Sequence, residues 1–183
     1  MKDVVFVTGN KNKAKHLADL LGIEIEYQSA ELSEIQSMDV EEVAKDKAIR
    51  AYESIGRPVL VEDQAVYLTA LGGFPGPFVK FMVESSGGIE SIARILDGYE
   101  DRSCIAKDIF VYYDGTSLTT FVGEYGGIIA KEPRGDGGWG WDPVYCPDGF
   151  DGKTSAELTK EEYEEVYLKI KPIAKVSEFL RGI

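Results

Sequence analysis

Two adjacent carboxylates, Glu62 and Asp63, follow the apolar run Val59-Leu60-Val61 that begins after Pro58. A carboxylate can take a proton from water or offer oxygen to a hard cation, so a Glu-Asp pair at the end of a short buried strand suits either task. Side chains alternate across a strand, so both can serve one site only where the chain bends into a loop. The next segment can supply that bend: Gly72 to Pro77 holds three glycines and two prolines in six residues, which opens backbone geometry closed to other residues. The same stretch also reads as a solvated acidic turn before a surface loop.

Cationic and aromatic candidates lie elsewhere in the chain. Thr8-Gly9-Asn10 follows the apolar run Val4 to Val7 and precedes an amphipathic pattern at Ala14, Leu17, Leu20 and Leu21. With Asn10 as N-cap, Lys13 falls in the first helical turn, where backbone N–H groups and an ammonium can grip a phosphate together. An ordinary helix start has the same appearance, and the spacing is not that of a Walker A loop. Lys47 sits beside the apolar stripe of a second helix and alone reads as a surface lysine. Both tryptophans, Trp139 and Trp141, stand among glycines in Gly137 to Pro143. They suit an aromatic plate for a flat base, or core residues at a bend.

The elements that must position these groups are an early alternation of strands and helices followed by hairpins. Ile23 to Tyr27 alternates as a half-exposed strand, and Asp39 with Glu42 resembles a capping box for a helix bearing Val40, Val43, Ala44, Ala48 and Ala51. A helix spans Ile89 to Leu96 with Gly98 as its stop. Cys104 to Tyr113 and Leu118 to Val122 form a hairpin around Asp114-Gly115, and a third strand is predicted at Gly127 to Ala130. Thr159 and Glu162 cap a helix through Tyr163, Val166 and Ile170, Pro172 interrupts it or starts the next, and Ile173, Val176 and Leu180 form the last apolar stripe. This order predicts an α/β protein with a mixed sheet rather than a purely parallel one.

Composition narrows the function classes. The 183 residues suit one domain or two lobes sharing a core, with 44% hydrophobic and 28% charged residues. A net charge of −12 repels nucleic-acid polymers and anionic membranes, whereas a small phosphorylated substrate is accommodated if lysines and a divalent cation reverse the field locally. No apolar run approaches the ~20 residues that a membrane span needs, and the expected location is the cytoplasm. Cys104 and Cys146 have no metal-ligand spacing and predict neither a disulfide framework nor a zinc site.

The motifs T-G-N-x-x-K at Thr8 to Lys13, V-L-V-E-D and A-L-G-G-x-P-G-P-F-V-K across Val59 to Lys80, W-G-W-D-P at Trp139 to Pro143, and P-D-G then K-T-x-A-E at Pro147 to Glu157 occur in order along almost the whole chain. Together they resemble the inosine triphosphate pyrophosphatase family, also called Ham1-like. The resemblance implies a single domain over residues 1–183: an elongated mixed β-sheet with flanking helices and two lobes around a central nucleotide cleft. It implies a homodimer that uses Mg2+ to split nucleoside triphosphates, such as those of inosine, deoxyinosine and xanthosine, into monophosphate and pyrophosphate. By position, Lys13 and Lys47 would contact phosphates and assist catalysis, with Thr8, Gly9 and Asn10 beside them. Glu34, Glu62 and Asp63 would hold the metal, and Asp63 would act as base on the attacking water. Trp139, where the family usually has Phe, would stack on the base beside Trp141 and Asp142, with Lys153 nearby.

Two stretches depart from the family pattern. Gln64-Ala65 replaces the residues after E-D that are usually [ST]-G. On the late helix, Glu162-Tyr163-Glu164-Glu165-Val166-Tyr167-Leu168-Lys169 stands where the family has E-K-N-x-[IV]-S-H-R. The only histidine is His16, so no base-reading histidine exists at a shifted position. Lys169 keeps the charge of the arginine on a flexible stem without its planar fork. An alternative function follows: a nucleotide-binding relative of low turnover with altered base specificity.

Overall fold

The computed structural model describes residues 3–183. In chain order the elements are β1 (Val5–Val7), α1 (Lys11–Leu21), β2 (Glu26–Gln28), α2 (Val40–Ile55), β3 (Val59–Leu68), β4 (Pro75–Gly76), α3 (Val79–Glu84), α4 (Glu90–Arg94), β5 (Ser103–Tyr113), β6 (Leu118–Ile129), β7 (Tyr145–Pro147), α5 (Lys160–Ile170) and α6 (Ile173–Gly182). The strands form one seven-stranded sheet in the order β2-β1-β3-β5-β6-β7, with β4 paired to β3. β1 runs parallel to β2 and β3, whereas β3–β4 and β6–β7 are antiparallel, so the sheet is mixed as expected. Among the described residues no helix is long and apolar enough to cross a membrane.

The chain divides into two units, Met1–Asp63 with Asp108–Val122 and Pro172–Ile183, and Gln64–Lys107 with Gly123–Lys171. The first unit buries Val4, Phe6 and Leu60 against Ala14, Leu17 and Leu21 of α1 and Ile173, Val176 and Leu180 of α6, the stripes read from the sequence. The second gathers Val66, Leu68, Ile92, Leu96, Val144, Tyr145, Val166 and Ile170. Each fully buried aliphatic or phenyl side chain contributes about 1.5–3 kcal/mol, so each unit has its own apolar interior.

Two expectations about strands are corrected. β3 does not end at Val61; it continues through Glu62 and Asp63 to Leu68 because Ala65, Val66 and Leu68 are buried and β4 pairs with it at Val66 and Tyr67. The predicted third strand at Gly127 is the far half of β6, which runs unbroken from Leu118 to Ile129. Gly127 is a place of close approach rather than a break: a Cβ there would lie 2.5 Å from the Cys146 carbonyl oxygen of β7. Pro172 starts α6 rather than interrupting a longer helix.

Candidate active site

In the first unit the chemistry collects around the middle of β3. β1 pairs with it at Val5–Val59 and Phe6–Leu60, so Val7, the last residue of β1, is level with Val61. Glu62 and Asp63 therefore lie just past the end of their neighbouring strand. The two crossovers, β1-α1-β2 and β2-α2-β3, run in opposite directions along the sheet, and the right-handed rule places α1 and α2 on opposite faces. Glu62 shares the face of Leu60, which packs with α1, and Asp63 takes the other. The ion pairs follow this alternation: Lys13 of α1 lies 3.6 Å from Glu62, and Lys47 of α2 lies 3.2 Å from Asp63.

Lys47 also reaches Glu34, at 3.0 Å, and so joins the loop before α2 to the strand. Burial alone would lower the pKa of its ammonium, but the carboxylates of Asp63 and Glu34 outweigh this and raise it. The carboxylates differ in exposure: the side chain of Glu62 is 4% exposed, that of Asp63 20% and that of Glu34 48%. α2 is anchored at its start by Asp39, which accepts the Glu41 N–H. The predicted box partner Glu42 accepts instead from the Ser37 hydroxyl, which itself takes the Asp39 N–H.

Thr8, Gly9 and Asn10 make the turn expected of them. Asn10 accepts the Lys13 N–H through its side chain and donates its own N–H to the Thr8 hydroxyl, so Lys13 stands in the first turn of α1. Among the described residues no group of three or more His, Cys, Asp or Glu side chains is gathered closely enough to hold a metal ion.

In the second unit the two tryptophans part company. Trp141 meets Tyr145 edge to face at 5.2 Å against the apolar interior, the core reading of that residue. Trp139 is 38% exposed, yet anchored at both ends. Its backbone N–H donates to Asp142 Oδ2 at 2.8 Å, its indole N–H donates to the Tyr163 hydroxyl at 2.9 Å, and that hydroxyl donates to the same Asp142 oxygen at 2.9 Å. Burial pushes the Asp142 carboxyl up to about 6, against the lowering effect of those hydrogen bonds and of Lys171. Gly138 allows the closure: it has φ of +70°, and a Cβ there would lie 2.4 Å from Asp142 Oδ2. Lys153 pairs with Glu162 at 3.1 Å, while Glu162 also caps α5 through the Thr159 N–H.

The sequence pattern of the Ham1 family matches residues 4–179. The chain belongs to the Ham1 family. It is 37% identical to the inosine triphosphate pyrophosphatase of Emericella nidulans, over 98% of this chain and 97% of that one. It is also 37% identical to the dITP/XTP pyrophosphatase of Saccharolobus solfataricus, over 96% and 92% of the two chains. The solved structure of a HAM1 protein from Coxiella burnetii superposes with a TM-score of 0.84 over 98% of both chains at 24% identity, a likeness of fold.

Against the Ham1 pattern, the departures on α5 have definite surroundings. Leu168 is 46% exposed. Lys169 is not loose: it pairs with Glu165 at 2.7 Å, lies 3.3 Å from the Tyr125 hydroxyl, and stands 5.0 and 5.3 Å from the centres of the Tyr125 and Phe150 rings. Sequence reasoning missed Tyr163, Tyr125 and Phe150 as site neighbours. Tyr163 carried one usable signal, standing where the family has lysine.

Proposed function

We propose that this chain is a magnesium-dependent pyrophosphatase that converts nucleoside triphosphates, among them inosine, deoxyinosine and xanthosine triphosphate, to monophosphate and pyrophosphate. The observation that carries the reading is the set Lys13–Glu62 and Glu34–Lys47–Asp63, which puts carboxylate–lysine pairs on both faces of β3 just past the end of β1. The names of relatives that are alike over nearly the full chain support it.

The donor chemistry fits magnesium, because that ion is usually held by one or two carboxylates completed by waters and substrate phosphates rather than by a protein cage. Glu62 would hold it; Asp63 lies on the opposite face of β3, where Lys47 ties it to Glu34. When bound, the ion supplies charge neutralisation on the phosphate oxygens and orientation of the α-phosphorus. Asp63, oriented by Lys47, takes a proton from the attacking water. Lys13 and Lys47 stabilise negative charge that gathers on the leaving pyrophosphate. Trp139 receives the base on its face, where stacking is insensitive to the exocyclic group.

The reading extends to a homodimer in the cytoplasm, the first of which light scattering checks. A second reading, a nucleotide binder of low turnover, draws on exposed Leu168 in the helix that usually reads the base. Incubation with a panel of triphosphates and magnesium, with identification of the phosphate released, separates them. Pyrophosphate supports the enzyme, tight binding without turnover supports the binder, and orthophosphate opposes both.

A further inference from the structure

We infer that Tyr163 is a positioning residue that locks the Trp139 ring as a preformed stacking platform for the base of a nucleotide; the inference rests on the reading above. Two departures from the family pattern become one device. An indole in place of phenylalanine brings an N–H that needs an acceptor, and lysine, with three donors and no acceptor, cannot serve it. A tyrosine hydroxyl can accept and donate at once. Here it accepts the Trp139 indole N–H and donates to Asp142, which also takes the Trp139 backbone N–H. The three bonds close a ring through the main chain of Trp139 at one end and the far edge of its side chain at the other. A half-exposed tryptophan otherwise loses rotamer freedom when a ligand stacks on it, and a platform already fixed avoids that loss at binding. With the indole N–H engaged by Tyr163, the ring offers its face and not its edge to a base.

The test is a double-mutant cycle of Trp139→Phe and Tyr163→Phe in the full chain, read as KM and kcat for inosine triphosphate and for ribose 5-triphosphate, which has no base. Losing one hydrogen bond to the platform should raise KM for inosine triphosphate roughly 2- to 12-fold in Tyr163→Phe. The rise should be absent for ribose 5-triphosphate, and Tyr163→Phe should add nothing in the Trp139→Phe background, where there is no indole N–H to hold. Unchanged KM, additive effects, or equal effects on both substrates overturn the inference. A wild-type protein that releases no pyrophosphate from any triphosphate defeats the functional reading instead. Acrylamide quenching of Trp139 fluorescence then still decides the inference: it should rise in Tyr163→Phe, and no rise refutes it.

Discussion

Replacing Lys47 by methionine removes the ammonium that joins Glu34 to Asp63 while keeping an apolar stem of similar length. The Glu34 side chain is 48% exposed, so water replaces its partner readily and that half of the loss is a surface pair, about 0–1 kcal/mol. The Asp63 side chain is 20% exposed, so it loses a charge-assisted contact where water enters poorly, about 1.5–3 kcal/mol. The expected loss in unfolding free energy is about 1.5–4 kcal/mol, against less than about 1 kcal/mol for Glu34→Gln. The pH dependence has a definite sign. The folded-state pKa of Lys47 is raised above 10.5, so its contribution is fully present below 10.5 and is lost as pH rises through the folded value. The gap between wild type and variant should therefore be flat around neutrality and close in strong alkali. Urea unfolding followed by far-UV circular dichroism without divalent cation measures it. A deficit within about 0.5 kcal/mol of zero, the range of ordinary surface substitutions, would refute the assignment of Lys47 as the tie between loop and strand.

Four further outcomes are expected. Glu62→Gln should raise the magnesium concentration needed for half-maximal turnover, and wild-type rates at limiting magnesium would exclude Glu62 as a ligand. Asp63→Asn should lower kcat on the order of 100-fold or more, whereas Trp139→Ala should act mainly on KM; equal effects on one parameter would contradict the roles assigned. Because the Asp142 carboxyl is raised from 3.8 to about 6, the folded state holds that proton longer than the unfolded chain, and its contribution to stability should fall as pH rises from 3.8 to about 6. The unfolding free-energy difference between wild type and Asp142→Asn should change across that window, and a constant difference would exclude it. Loss of a base-reading donor at Leu168 should reduce discrimination between inosine and adenosine triphosphate by roughly 1–3 kcal/mol, about 5- to 150-fold, relative to enzymes with the intact motif. The ratio of specificity constants, repeated with Leu168→His and Lys169→Arg together, measures this; adenosine triphosphate rejected as strongly as by those enzymes would place base reading elsewhere.

Local signals carried much of this fold because they depend on a few neighbouring residues. Asn10 caps α1 through the Lys13 N–H, Asp39 caps α2, and the stripes of α1 and α6 lie where their spacing puts them. The errors lie where a distant partner decides. Glu62 and Asp63 look like a strand end because charge interrupts the apolar run; the pairing of Val66 and Tyr67 with β4 keeps β3 extended. Gly126 and Gly127 look like a break, and only the approach of Asp148 and Cys146 shows why glycine stands there. The candidate site divides in the same way. Lys13 and Glu62 are picked out by their motifs and meet in the structure, whereas the bond between Tyr163 and Trp139 joins positions whose hydrogen-bonding chemistry has meaning only once they meet.

The alternation along β3 gives the hydrophobic interior a second task. Leu60 and Glu62 share one face, and Asp63 lies on the other with Val61, so the register that buries Leu60 also decides which lysine each carboxylate meets. A slip by one residue would turn Leu60 outward and present Glu62 to Lys47 and Asp63 to the side of Lys13. The two acids differ by only one methylene; what keeps each opposite its own lysine is the burial of the aliphatic residues before them. Removal of one residue between Pro58 and Glu62 would act like a frameshift, leaving both carboxylates in the chain and neither opposite its own lysine.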